Sequence, residues 1–104
     1  MTEFIFTYRS PAGYRPGEPQ AVAAWQDWFA GLGPALRDIG RPVSDQVTVG
    51  TITADGTRLG GYSVVTAEGL DDALAMAKGC PLVAAGGGVE VGTLASLPDD
   101  RPAR

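Results

Sequence analysis

The chemistry open to this chain is bounded first by what it lacks. It has no histidine and one cysteine, so neither a Ser-His-Asp nor a Cys-His nucleophile pair can form within it. The same shortage excludes a zinc-type nitrogen–sulfur site in a single subunit, and no metal or cofactor is expected. Acid–base work therefore falls to carboxylates, tyrosines, lysine, the lone thiol or a ligand. Asp27 lies between Trp25 and Trp28, Tyr62 follows Gly60-Gly61, and Glu90 alternates with Val89 and Val91. Asp27 is a candidate general base if it faces an apolar cavity that raises its pKa. Its spacing also suits a solvated helix face. Glu90 suits a cross-strand or interface partner as well as a site acid. Tyr62 and Tyr8 are expected to line one sheet face together, as hydrogen donors or as core.

For binding, Arg9 at the exit of the first strand offers a planar fork to a carboxylate or phosphate, or an ion pair at a surface or interface. Trp25 and Trp28 are three residues apart and cannot be equally central to one helical stripe. Trp25 has Phe29 and Leu32 along that stripe and is assigned to the core. Trp28 is assigned to a cavity wall, with Arg9 and Tyr62 close by. Cys80 reads as a buried structural thiol: it follows a helix C-terminus, where the dipole disfavours a thiolate. Gly86-Gly87-Gly88 lacks the strand-then-helix context of a phosphate loop and reads as a turn.

These residues need elements to position them. Thr2 to Arg9 alternates with period two, Phe4, Phe6 and Tyr8 against Glu3, Ile5 and Thr7, which predicts a strand. Val22, Trp25, Phe29, Leu32, Leu36 and Ile39 recur at steps of three and four and predict a helix over about 18–39, with a kink or break at Gly33-Pro34. Val47 to Thr53 alternates again, and Ala54-Asp55-Gly56-Thr57 reads as a hairpin turn into a returning strand at 60–67. Leu70, Ala73, Leu74 and Ala77 predict a short helix with Asp71 and Asp72 in its first turn. Gly79 and Pro81 stop it, and a last strand covers 89–94. The order is β-α-β-β-α-β, an α+β ferredoxin-like unit over 1–97, followed by a tail at 98–104 without apolar periodicity that is expected to be disordered.

Several of these peptides together resemble the YCII-related domain family. They are Phe6 with Arg9, Trp25 and Trp28, Gly60-Gly61-Tyr62, Leu70-Asp71-Asp72-Ala73, Ala77-Lys78-Gly79-Cys80-Pro81 and Gly87-Gly88-Val89-Glu90-Val91. The resemblance spans most of residues 3–94 and implies a small homodimeric α/β barrel. The sequence departs from that family in two places. Of the Asp-Gly-Pro-Phe peptide many relatives carry, Asp55-Gly56 remains, and the histidine that some relatives pair with an aspartate is absent. The resemblance implies binding of a small, partly aromatic or acidic molecule. A cofactor-free isomerase, lyase or monooxygenase-like enzyme, or an accessory or regulatory interaction module, are the alternatives. The pattern itself also asks for a partner or a ligand: both sheet faces carry apolar groups, while two helices can cover one, and a homodimer is expected to meet that demand.

The totals agree with a single soluble domain. The chain has 104 residues, with 44% hydrophobic and 19% charged, ordinary values for a globular protein. Twelve acidic against eight basic residues give a net charge of −4, which repels a phosphate backbone, so no nucleic-acid partner is expected. No apolar run approaches the roughly 20 residues of a membrane span. The opening Met-Thr-Glu lacks a basic n-region, so no signal peptide and a cytoplasmic location are expected.

Overall fold

A computed structural model describes residues 1–96; the tail expected at 98–104 lies outside the described residues. The elements run β1 (Thr2–Pro11), α1 (Pro19–Leu32), a 3-10 turn (Gly33–Ala35), β2 (Leu36–Asp38), β3 (Thr57–Ala67), α2 (Leu70–Ala77), α3 (Pro81–Ala84) and β4 (Gly88–Thr93). The four strands form one sheet in the order β2-β3-β1-β4, each neighbouring pair antiparallel. The fold is therefore α+β and ferredoxin-like, with β1 and β3 at the centre of the sheet.

Strand β1 takes its shape from the predicted alternation. Phe4, Phe6 and Tyr8 are buried, and the residues between them are partly exposed. The register places Val65, Ser63 and Gly61 of β3, and Val91 and Val89 of β4, beside that buried row. Thr7, Ile5, Tyr62, Val64 and Glu90 share the other face. The core completes itself with Ala73 and Ala77 of α2 and with Cys80 and Leu82 around α3.

Two elements differ from the sequence expectation. The first helix ends at Leu32, seven residues short of Ile39. Gly33 adopts φ 55° and closes the helix by donating its N–H to Ala30, and Pro34 has no N–H to continue the ladder. Leu36, still in step with the helical spacing, pairs with Val65 as the edge strand β2.

The alternating segment Val47–Thr53 forms no strand. Its place beside β3 is already taken. Asp38 pairs with Val64, Pro42 bridges to Gly61, and Val43 donates to the Gly60 carbonyl. Val47 and Val49 stand 90% and 92% exposed in a long connection. The Asp55-Gly56 turn does form: the Asp55 carboxylate accepts from both the backbone N–H and the hydroxyl of Thr57. It leads into β3 from this loop and not from a paired strand.

Candidate functional site

The β1–β3 ladder breaks its register once, between Tyr8 and Arg9, where Gly60 is passed over: Tyr8 pairs with Gly61 and Arg9 with Leu59. The extra residue reverses the facing of the β3 residues beyond it, so Arg58 pairs with Ser10. The chain following β2 then turns back over the bulge. Gly40 makes this possible, because it sits at φ 72° and a Cβ there would collide with the backbone of Tyr62. Asp38 caps the turn by accepting the Gly40 N–H at 2.8 Å.

The result is a cavity of about 620 Å³, within the range of small-molecule sites. Tyr8, Ser10, Gly60 and Gly61 form its floor, Val22, Trp25, Gln26 and Phe29 of α1 one wall, and the 39–44 loop the opposite wall. Tyr14, Pro16, Arg58, Tyr62 and Leu82 complete the lining.

The aromatic groups are held by one another and by hydrogen bonds. Tyr8 meets Trp25 edge-on at 4.9 Å between ring centroids, and Trp25 lies 5.5 Å from Phe29. Trp25 Nε1 donates to the Tyr14 hydroxyl at 2.7 Å, which orients both rings toward the cavity. Beneath them, the Tyr8 hydroxyl donates to Ser63 Oγ at 2.7 Å, and Ser63 donates to the Ile39 carbonyl at the same distance. This buried relay ties the floor of the cavity to its loop wall. Burial pushes the Tyr8 phenol well above its ordinary value, with Ser63 opposing that shift in part. Tyr8 is thus a neutral hydrogen-bond donor committed to Ser63, and no proton acceptor at neutral pH.

The two tryptophans exchange the places assigned from spacing. Trp25 borders the cavity. Trp28 stacks on Phe6 at 6.0 Å, donates from Nε1 to the Met76 carbonyl at 3.1 Å, and packs where a Cβ on Gly79 would touch its indole. The helical stripe holds from Val22 to Leu32, and within it Trp25 and Phe29 line the cavity while Trp28 does not.

Arg9 lies on the other face of the sheet from the cavity, since Tyr8 and Ser10 flank it in β1. Its guanidinium donates to the Thr57 hydroxyl and carbonyl at 3.2 and 3.3 Å. Tyr62 borders the cavity, yet its register opposite Thr7 separates its ring from Tyr8, so the two tyrosines do not share a face. Glu90 also pairs with Thr7, in one row with Tyr62 and about 10 Å from it by two strand spacings. Asp27 is exposed on α1. Asp27, Tyr62 and Glu90 therefore do not converge on one point, and among the described residues no carboxylate lines the cavity.

Cys80 is buried at the start of α3, a turn absent from the sequence expectation. Burial pushes its thiol up to about 11, against the opposing effect of the Leu82 and Val83 backbone N–H groups. Among the described residues, no group of three or more metal-ligating side chains comes together, and no helix is long and apolar enough to cross a membrane.

Sequence reasoning passed over Arg41, Arg58, Tyr14 and Ser63. Gly40-Arg41-Pro42 carried a local turn signal. Arg58 reaches the cavity side only because the bulge shifts the register, which no local pattern announces.

No family model and no curated protein matches the chain. Among solved structures it is similar to 5-chloro-2-hydroxyhydroquinone dehydrochlorinase (TftG) from Burkholderia phenoliruptrix AC1100, in its complex with 2,5-dihydroxybenzoquinone. The TM-score is 0.58 at 21% identity, over 86% of this chain and 89% of that chain. A likeness at this identity is one of fold.

Proposed function

We propose that this is a YCII-related, homodimeric protein of the cytoplasm that binds a small molecule in the cavity beside its sheet. One observation carries the reading: a 620 Å³ cavity walled by Tyr8, Tyr14, Trp25 and Phe29, whose rings are already fixed by mutual packing and by the Trp25–Tyr14 hydrogen bond. Preorganised aromatic walls lose little side-chain entropy when a ligand enters. The fold neighbour's complex with 2,5-dihydroxybenzoquinone is in keeping with a small flat ligand. Binding is favoured over proton-transfer catalysis because Asp27 and Glu90 lie outside the cavity.

The homodimer is supported by the uncovered sheet face, where Ile5 and Val64 are only half-buried and Tyr62 is exposed. Val47, Val49 and Ile52 add apolar surface that a second copy would remove from water. Light scattering at micromolar concentration tests this part, and a stable folded monomer of 10.7 kDa overturns it. The free, buried Cys80 suits a reducing compartment.

Cavity binding is tested by tryptophan fluorescence in a Trp28→Phe background, where Trp25 is the remaining reporter. Saturable quenching by naphthalene-sized aromatics is expected. Its absence up to millimolar probe sinks the binding reading.

A further inference from the structure

The cavity has a charge character opposite to that of the chain. The protein carries 12 acidic and 8 basic residues, yet among the described residues the charged ones lining the cavity are Arg41 and Arg58, with no Asp or Glu. Arg41 comes from the loop wall and Arg58 from β3, so the two flank the cavity from different elements. Arg58 is held in place by donating from Nη2 to the Ser44 carbonyl at 2.6 Å. That bond uses one of five guanidinium donors and leaves the fork free to accept a planar anion.

The neighbouring surfaces complement this charge. Trp25, Phe29 and Val43 line the same space and offer an aromatic ring an apolar surface beside the two exposed arginines. Tyr14 adds a neutral donor: its oxygen accepts the Trp25 N–H, which leaves its own hydrogen for a ligand. Arg9, by contrast, is committed to Thr57 on the far face of the sheet.

From this arrangement, and resting on the reading of the cavity as a small-molecule site, we infer that its ligand is an aromatic carboxylate. The ring packs against Trp25 and Phe29, and Arg41 and Arg58 hold the carboxylate. Specificity then comes from the two arginines and not from Arg9.

The test compares 2-naphthoate with its neutral isostere 2-naphthamide by titration calorimetry at neutral pH. Charge-assisted hydrogen bonds predict that the wild-type protein binds naphthoate on the order of ten-fold tighter, an advantage that shrinks with added salt. In an Arg41→Met, Arg58→Met double variant the ratio is expected to fall to about one, with naphthamide affinity retained. Because Arg58 also anchors Ser44, Arg41→Met alone serves as a second variant and is expected to lower the ratio without loosening the loop. Equal affinities in the wild-type protein overturn the inference while leaving the cavity reading intact. A full preference for naphthoate in both variants overturns the assignment to these arginines. Binding of neither probe overturns the cavity reading and this inference with it.

Discussion

The same sheet face is covered in two different ways. On one side, α2 and α3 press small or compact side chains against Phe4 and Phe6. Ala73 is 0% exposed, Ala77 6%, Cys80 2% and Leu82 1%. On the other side, α1 has no buried residue at all, although it carries the largest side chains in the protein. Alanine lets a helix backbone approach a sheet closely, whereas two indoles hold one away from it. The α2–α3 side is a core. The α1 side is a set of aromatic struts around an opening. Stability and binding are thus assigned to different halves of one layer, and substitutions in the two halves have different consequences.

The comparison breaks most plainly at its centre. Phe6→Ala removes a fully buried ring that both sides share, and a loss of roughly 3–5 kcal/mol is expected in denaturant melts. Next come the tryptophans, which separate the halves. Trp28, stacked on Phe6 and bonded to the Met76 carbonyl, behaves as core when cut to alanine, with a loss approaching that same range. Trp25→Ala is expected to cost appreciably less stability while weakening or abolishing capture of aromatic probes. Equal losses from both, with binding unchanged, would erase the distinction between core and cavity wall.

A smaller effect tests the link between floor and loop. Ser63→Ala strands the Tyr8 hydroxyl and the Ile39 carbonyl, for an expected cost of about 1–3 kcal/mol. Because Ile39 anchors the loop wall, probe affinity is also expected to fall. A variant equally destabilised but with unchanged affinity would show that the relay serves only the fold.

The smallest effect concerns Cys80, on the tightly packed side. Cys80→Ala is expected to cost on the order of 1 kcal/mol and to leave probe binding intact. The thiol also gives the fold a pH dependence of known sign. Its folded pKa is raised from 9.0 to about 11 by burial. The unfolded chain therefore ionises first, and the contribution of this group is fully present below about pH 9 and is lost as pH rises toward 11. Melts of wild type and Cys80→Ala across that window should converge as pH increases. A constant gap between them would mean that the thiol is not the group being titrated.

What could be read in the sequence follows the range of the interactions involved. The alternation of Phe4, Phe6 and Tyr8, the spacing from Val22 to Leu32, and the Leu70–Ala77 helix are local periodicities, and each produced its element. Asp55-Gly56 turns the chain into β3, but the hairpin expected there is absent because 47–53 is not a strand. The βαββαβ order and the ferredoxin-like class followed from counting them. The second strand was misplaced because Leu36 fits a helical stripe as well as a strand, and Val47 and Val49 alternate without a neighbour to pair with. Pairing, not pattern, decided between them: β3 has one edge left beside β1, and Leu36, Asp38, Pro42 and Val43 occupy it, although 47–53 lies nearer in the chain.

The candidate site was less legible for the same reason. The Trp25/Trp28 pair, the absence of histidine and the likeness of Cys80 to a structural thiol are apparent from composition and spacing; Arg41 and Arg58 are not. Which aromatic faces the cavity and which arginine borders it depended on a one-residue register shift at Gly60 and on Gly40 folding a loop against Tyr62. The bulge reverses the facing of the β3 residues beyond Gly60, so Arg58 ends on the side opposite to the one a regular ladder would give, while Arg9 keeps the facing set by the alternation of β1. The amino-acid sequence by itself determined the elements, their order and the chemistry excluded; the tertiary structure alone decided which side chains meet, because strand register is settled by long-range pairing that no local pattern contains.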